Sequence, residues 1–201
     1  MSRCRCPQPS VLATLFLFLT ASYACAQNCP TARNGPQGFV VERGDSQKSE
    51  ISHSQDGIVR VVTRYSGTTL LETRSFQGLF QLERIEEGRR TTIKPRSDLA
   101  KLFPIKPGQQ LSADFDFVDD RGRTTPGTVI LSVKGMEPLS IGACRYSVLK
   151  IDHSESRGDR APARISTDYY SPELKLVLMR EYDRGGRTSS VKYDRIYPIK
   201  N

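Results

Sequence analysis

The chain predicts a mainly β fold: one curved antiparallel meander sheet, a half-barrel or open barrel of roughly ten to eleven strands with one short helix. Two observations carry this. Turn signals recur at short intervals, at Asp56-Gly57, Ser66-Gly67, Glu87-Gly88, Pro107-Gly108, Arg121-Gly122, Gly135 and Gly185-Gly186, and the runs between them have strand length and are rich in Val, Ile, Thr, Tyr and Phe. The period within many runs is two. In "LSADFDFV" Leu111, Ala113, Phe115 and Phe117 share one face, and Ser112, Asp114 and Asp116 share the other, so one face is core and the other meets solvent.

In chain order the strand-like runs are Gly57 to Tyr65, Thr68 to Phe76, Gly78 to Glu86, Leu111 to Val118, Thr128 to Lys134, Cys144 to Ile151, Ala163 to Tyr170, Leu174 to Tyr182 and Ser189 to Tyr197, with further runs near Phe39 and Ile51. No repeat is regular enough for a propeller. A sheet this large must curl, close or pair, because a flat one leaves an apolar face and raw edges. The single helix is expected at "SDLAKLF", capped by Ser97, with Leu99, Leu102 and Phe103 on one stripe and Pro104 ending it, covering one mouth of the curled sheet. "DHSESRGDRAP", Asp152 to Pro162, reads as an exposed polar loop. In "TDYYSPELKLVLMREYD", Thr167 to Asp183, Pro172 marks a corner between strands. Beyond it Leu174, Leu176 and Leu178 face one way and Val177 and Met179 the other, which predicts a strand covered on both sides.

The first residues set the compartment. Arg3 and Arg5 precede the apolar run Val11 to Leu19, and small residues at Ala24 and Ala26 suit a signal peptidase. Residues 1–26 therefore read as a cleaved secretory signal, followed by a single β-rich domain at 27–201, and the expected location is the periplasm or the exterior. The run is too short to span a bilayer. A lipid-modified Cys25 is the alternative, disfavoured because Ser22 stands where such signals carry Leu. Cys4, Cys6 and Cys25 leave with the signal, so Cys29 and Cys144 are expected to pair. Loss of Arg3 and Arg5 lowers the formal charge from +8 to +6. Such a surplus suits weak contact with an anionic envelope surface and is too small to indicate nucleic acid.

"VKGMEPLSIGACRYSVLKID" (Val133 to Asp152) and "ISTDYYSPELKLVLMRE" (Ile165 to Glu181) together resemble the C-terminal half of a family of uncharacterised exported bacterial proteins. That family looks related to the half-barrels of periplasmic lipoprotein carriers. The shared features are the strand start at Gly142 to Tyr146 and the aromatic pair with Ser-Pro-Glu-Leu at Tyr169 to Leu174. The chain departs from the pattern in having no Trp and in carrying Lys175 where relatives have Gly. The resemblance implies a curved antiparallel sheet wrapping a small helix, and no specific activity.

The residues that could carry chemistry do not assemble into a known motif. His53 and His153 each have serines beside them in sequence, but neighbours on a strand face opposite ways. There is no Gly-x-Ser-x-Gly elbow, so both histidines read as ordinary surface residues. Asp114, Asp116, Asp119 and Asp120 read as a solvated hairpin rather than a calcium loop, because Arg121 and Arg123 would repel a cation. Arg89, Arg90, Lys94 and Arg96 are a candidate anion-binding cluster or a charged edge strand. Phe115, Phe117, Tyr169, Tyr170 and Leu176 are candidate ligand-lining residues on the concave face.

The expected function is accordingly that of a non-enzymatic exported binding module. It would take a hydrophobic or lipid-like group, or dock an envelope protein partner, with no catalytic residue, metal or cofactor. The competing reading is a structural or interaction protein of the envelope whose interior is fully packed, and a third, an enzyme with an unrecognised site, requires His53 or His153 to sit in a cleft beside a carboxylate.

Overall fold

The computed structural model describes residues 29–199; residues 1–26, expected to be a signal segment, with Cys4, Cys6 and Cys25, lie outside them. The described residues form one antiparallel sheet of thirteen strands: β1 (Phe39–Arg43), β2 (Gln47–His53), β3 (Ile58–Tyr65), β4 (Thr68–Phe76), β5 (Phe80–Glu86), β6 (Arg89–Pro95), β7 (Gln110–Val118), β8 (Thr124–Ile141), β9 (Cys144–Arg157), β10 (Ala163–Ser171), β11 (Leu176–Arg184), β12 (Arg187–Lys192) and β13 (Arg195–Pro198). From β1 to β12 each strand pairs with the next, and β13 returns to pair with β1. The sheet is thus a meander with β12 and β13 at its two edges.

Those edges dictate the shape. Laid flat, thirteen strands would hold their edges roughly 58 Å apart at ordinary spacing. Only Tyr193 and Asp194 separate β12 from β13, a span of at most about 11 Å. The sheet must therefore roll up, and because no ladder joins its two edges the roll stays open. The crossing is held by Asp194, whose backbone N–H donates to the Glu42 carbonyl at 2.8 Å and whose carboxylate accepts from the Gly44 N–H at 2.6 Å.

The roll brings distant strands face to face. Phe39, Val41, Ile51, Val59 and Ile196 pack with Tyr146, Val148, Leu174, Leu176 and Leu178. A second cluster gathers Phe80, Ile93, Phe115, Val129, Leu131 and Ile151. β7 alternates as expected, with Leu111, Ala113, Phe115 and Phe117 buried. Cys29 and Cys144 form a disulfide that ties the segment before β1 to the start of β9, 115 residues away. The Tyr146 hydroxyl adds to this tether by donating to the Pro30 carbonyl at 3.2 Å. β11 is covered on both sides: Leu176 and Leu178 join the first cluster while Val177 packs on the second.

Several expectations need correction. Two further strands exist. The basic run Arg89–Pro95, offered as a charged edge strand, is a strand inside the sheet, paired with β5 and β7, and Ser189 to Tyr197 divides into β12 and β13 on opposite edges. The expected helix is only a 3-10 turn, Leu99–Leu102, capped by Asp98. The Ser97 hydroxyl instead accepts from the Asp114 backbone N–H at 3.0 Å. The turn still covers one end of the roll, where Leu99 is buried and Phe103 packs edge-on against Phe76 and Phe80. Finally, the supposed loop from Asp152 is strand as far as Arg157. Its polar residues continue the β9 ladder against β8 and β10.

Candidate functional site

The interior of the roll is not filled by side chains. A cavity of about 410 Å³ lies inside it, walled by residues from β2 to β12. The register orders those residues along the roll. The starts of β4, β6, β8 and β10 pair with the ends of β5, β7 and β9, so Arg84, Glu155, Arg157 and Ile165 share one end of the cavity. Toward the other end the wall is apolar, at Leu79, Phe80, Phe115, Leu176 and Leu178, all of them buried. The cavity meets solvent where Ile165 and Val191 line it, 41% and 36% exposed.

A buried charged cluster sits beside the polar end. Cross-strand pairing sets Val133, Ile151, Asp168 and Arg180 side by side on one face, because paired residues in adjacent strands point the same way. Asp168 is 1% exposed and accepts from Arg180 Nε and Nη2 at 2.7 Å each. Ser166 Oγ donates to it at 2.6 Å, and His153 Nδ1 lies 3.4 Å away. Burial alone would push the Asp168 carboxyl up, but the hydrogen bond from His153 and the charge and hydrogen bonds of Arg180 outweigh it and hold it well below the usual carboxylate range. Burial pulls the Arg180 guanidinium down, and the opposed charge of Asp168 more than reverses this, leaving it above its ordinary value. With Asp168 ionised, Nδ1 of His153 carries the proton facing it. The Nε2 atom is buried and meets no hydrogen-bond partner among the described residues.

These residues do not form a nucleophilic triad. The Ser166 hydroxyl donates to Asp168 rather than to His153, and Asp168 is clamped by Arg180, so Ser166 has no base aligned to receive its proton. The surface reading of the histidines is nevertheless corrected. The His153 side chain is 12% exposed and lines the cavity. His53 packs edge-on against Phe39, and burial, with the charge of Lys175, lowers its imidazole below the ordinary value.

Of the sequence candidates, Phe115, Phe117 and Leu176 stand in the cavity wall, and Phe115 stacks on Phe80 at 6.0 Å. Tyr170 is buried in the core with its hydroxyl donating to the Gln77 carbonyl at 2.7 Å, and burial raises its phenol well above the ordinary value. Tyr169 bonds Glu181 at 2.9 Å beneath the Lys150 ammonium. Arg89, Arg90 and Arg96 face three different carboxylates, Glu87, Glu83 and Asp116, and Lys94 is exposed. Asp119 accepts from the backbones of Arg121 and Arg123 within its own turn, and Asp114 accepts from the Thr128 hydroxyl.

The residues that sequence reading missed are Arg84, Glu155, Arg157, Ser166, Asp168 and Arg180, while His153 was considered and read as a surface residue. A signal was present in the alternation His153, Glu155, Arg157, which has the period of a strand with polar residues turned inward. It was hidden because polar, turn-forming residues interleave with it.

No family model and no curated protein matches the chain. Among solved structures, the crystal structure of the hypothetical lipoprotein YmcC from Escherichia coli K12 matches with a TM-score of 0.50 and 12% sequence identity, over 83% of this chain and 89% of that one. At this identity the likeness is one of fold: both are β-rich chains of this architecture.

Proposed function

We propose that this chain is an exported, non-enzymatic binding module of the cell envelope that holds a hydrophobic or lipid-like group inside its rolled sheet. The observation that carries the reading is the cavity: about 410 Å³, within the 300–1,000 Å³ range of small-molecule sites. Its wall is apolar at Phe80, Phe115, Phe117, Val129 and Leu178, and it meets solvent at Ile165 and Val191. Export to the periplasm is part of the same proposal. It rests on the signal-like residues 1–26 and draws support from the fold shared with a protein described as a hypothetical lipoprotein. The non-enzymatic part is supported by the way Ser166 and Arg180 both engage Asp168, which leaves His153 without an aligned nucleophile.

The test is binding of an apolar fluorescent probe, N-phenyl-1-naphthylamine, to the oxidised protein, with native mass spectrometry of the same preparation. The expected result is saturable probe binding that is lost in Val61→Trp, which fills the cavity from β3 while leaving the far-ultraviolet circular dichroism unchanged. Absence of both probe binding and copurifying lipid would overturn the proposal.

A further inference from the structure

The charges at the polar end of the cavity cancel, and the polar groups left for a ligand are uncharged. Each arginine in the wall is held by a carboxylate: Arg84 by Glu86 through hydrogen bonds of 2.9 and 3.2 Å, Arg157 by Glu155, and Arg180 by Asp168. The carboxylates are engaged in the same pairs, so neither an anionic nor a cationic head meets a free counter-charge. His153 adds none, because its Nδ1 carries the proton that faces Asp168 and its Nε2 is left as an acceptor. The uncharged polar groups lie on other strands. Ser75 and Gln81 are cross-strand partners on β4 and β5, Thr73 stands two residues before Ser75 on the same face, and all three line the cavity. Their side chains are half-buried and hydrogen-bond no other group among the described residues. Size gives a second constraint. At roughly 30 Å³ per heavy atom, the volume share of a liquid water molecule, 410 Å³ holds one chain of about a dozen heavy atoms and excludes a two-tailed lipid.

We infer that the ligand is an uncharged single-tailed amphiphile, its hydroxyl or amide head seated on the strip formed by Thr73, Ser75 and Gln81 and its tail against Phe115, Phe117 and Val129. This rests on the binding-module reading above and adds the head chemistry, the tail number and the strands that hold the head. A hydroxyl or a primary amide both donates and accepts, as do the two wall hydroxyls and the Gln81 amide, so the strip and such a head satisfy one another. An ionised head in the same place would lose its hydration and meet only charges that are already paired, which is unfavourable in a largely apolar site.

The test displaces N-phenyl-1-naphthylamine at neutral pH with four ligands of one tail length: decanol, decanamide, decanoate and decyltrimethylammonium. Both neutral ligands should displace the probe at concentrations at least tenfold below either ion. In Thr73→Val/Ser75→Ala the affinity for decanamide, taken relative to that for the probe on the same variant, should fall at least threefold. In Glu155→Gln, which leaves Arg157 unpaired, decanoate should gain at least threefold on decanol. An ion that displaces the probe within tenfold of the neutral ligands would overturn this inference and leave the binding module standing, whereas failure of the probe to bind would overturn both. An unchanged ratio in Thr73→Val/Ser75→Ala would overturn the placement of the head on β4 and β5, and no gain for decanoate in Glu155→Gln would overturn the exclusion of ions by pairing.

Discussion

Replacing Asp168 by Asn tests whether the buried cluster organises β9 to β11. The substitution keeps the side chain's shape but removes its charge and turns one acceptor into a donor. Arg180 Nε and Nη2, each 2.7 Å from a carboxylate oxygen, and Ser166 Oγ at 2.6 Å then compete for one acceptor. Breaking a buried pair from one side costs about 3–5 kcal/mol. The lower value applies here because the Arg180 side chain is 36% exposed and can rehydrate through the cavity. A loss of about 3 kcal/mol lowers the melting temperature by about 6–12 °C in a domain of this size.

Urea unfolding of the oxidised protein, followed by circular dichroism, measures the loss directly. The same experiment has a pH signature. The folded-state pKa of Asp168 lies below its unfolded value, so its contribution is complete above about pH 5 and is lost progressively as pH falls through the unfolded and then the depressed folded value. The stability gap between wild type and Asp168→Asn should therefore narrow steadily as pH falls from about 5 to 2. A variant within about 1 kcal/mol of wild type at pH 7, the median worth of an exposed pair, would refute the reasoning.

Other regions give further expectations. His53 has a lowered folded-state value, so the unfolded chain takes up its proton first as pH falls below about 6.5; stability should drop from pH 7 to pH 5, and by less in His53→Gln, in parallel urea titrations. Gly78 has φ +73°, and a Cβ there would sit 1.8 Å from the Lys175 carbonyl oxygen. Gly78→Ala should thus cost more than about 1–3 kcal/mol, the range for a strained backbone alone, and a melting temperature equal to wild type would contradict the packing of that turn on the β10–β11 corner. Reduction of Cys29–Cys144, which spans 115 residues, should lower stability by roughly 4–5 kcal/mol in the chain-entropy account, and matched urea curves with and without reductant measure it.

The fold was legible where one face is apolar and the other polar. β7 shows this best, since Leu111, Ala113, Phe115 and Phe117 alternate with Ser112, Asp114 and Asp116. The corner at Pro172 and the double coverage of β11 could be read for a related reason, because Val177 and Met179 break the polar face. Alternation fails when the inward face is itself polar. His153, Glu155 and Arg157 turn toward the cavity, so the end of β9 carries no apolar stripe and imitates a loop. Arg89–Pro95 was open to a strand reading, but its four cations at 89, 90, 94 and 96 pointed to a solvated edge, whereas the strand lies between β5 and β7. The apolar half of the site, at Phe115, Phe117 and Leu176, was therefore accessible from the pattern. Its charged half was not, because Asp168 and Arg180 become neighbours only through the β10–β11 register.

The size of the cavity bears on its occupancy. At about 24 cal/mol per Å³, an empty apolar void of 410 Å³ would cost roughly 10 kcal/mol, comparable to the whole stability of an ordinary domain at about 5–15 kcal/mol. Such a void is tolerable only if solvent enters, and the polar wall at His153, Glu155 and Arg157, with Ile165 and Val191 exposed, lets it enter. Water against Phe80, Phe115 and Leu178 is unfavourable, so a tail that expels it should stabilise the folded state. At a free ligand concentration one hundred times the dissociation constant the gain is about 2.7 kcal/mol, or about 5–11 °C in melting temperature. A thermal melt with decanol measures this, with Val61→Trp as the comparison. A rise in melting temperature that is equally large in Val61→Trp would place decanol outside the cavity, and the argument from the cavity would fail.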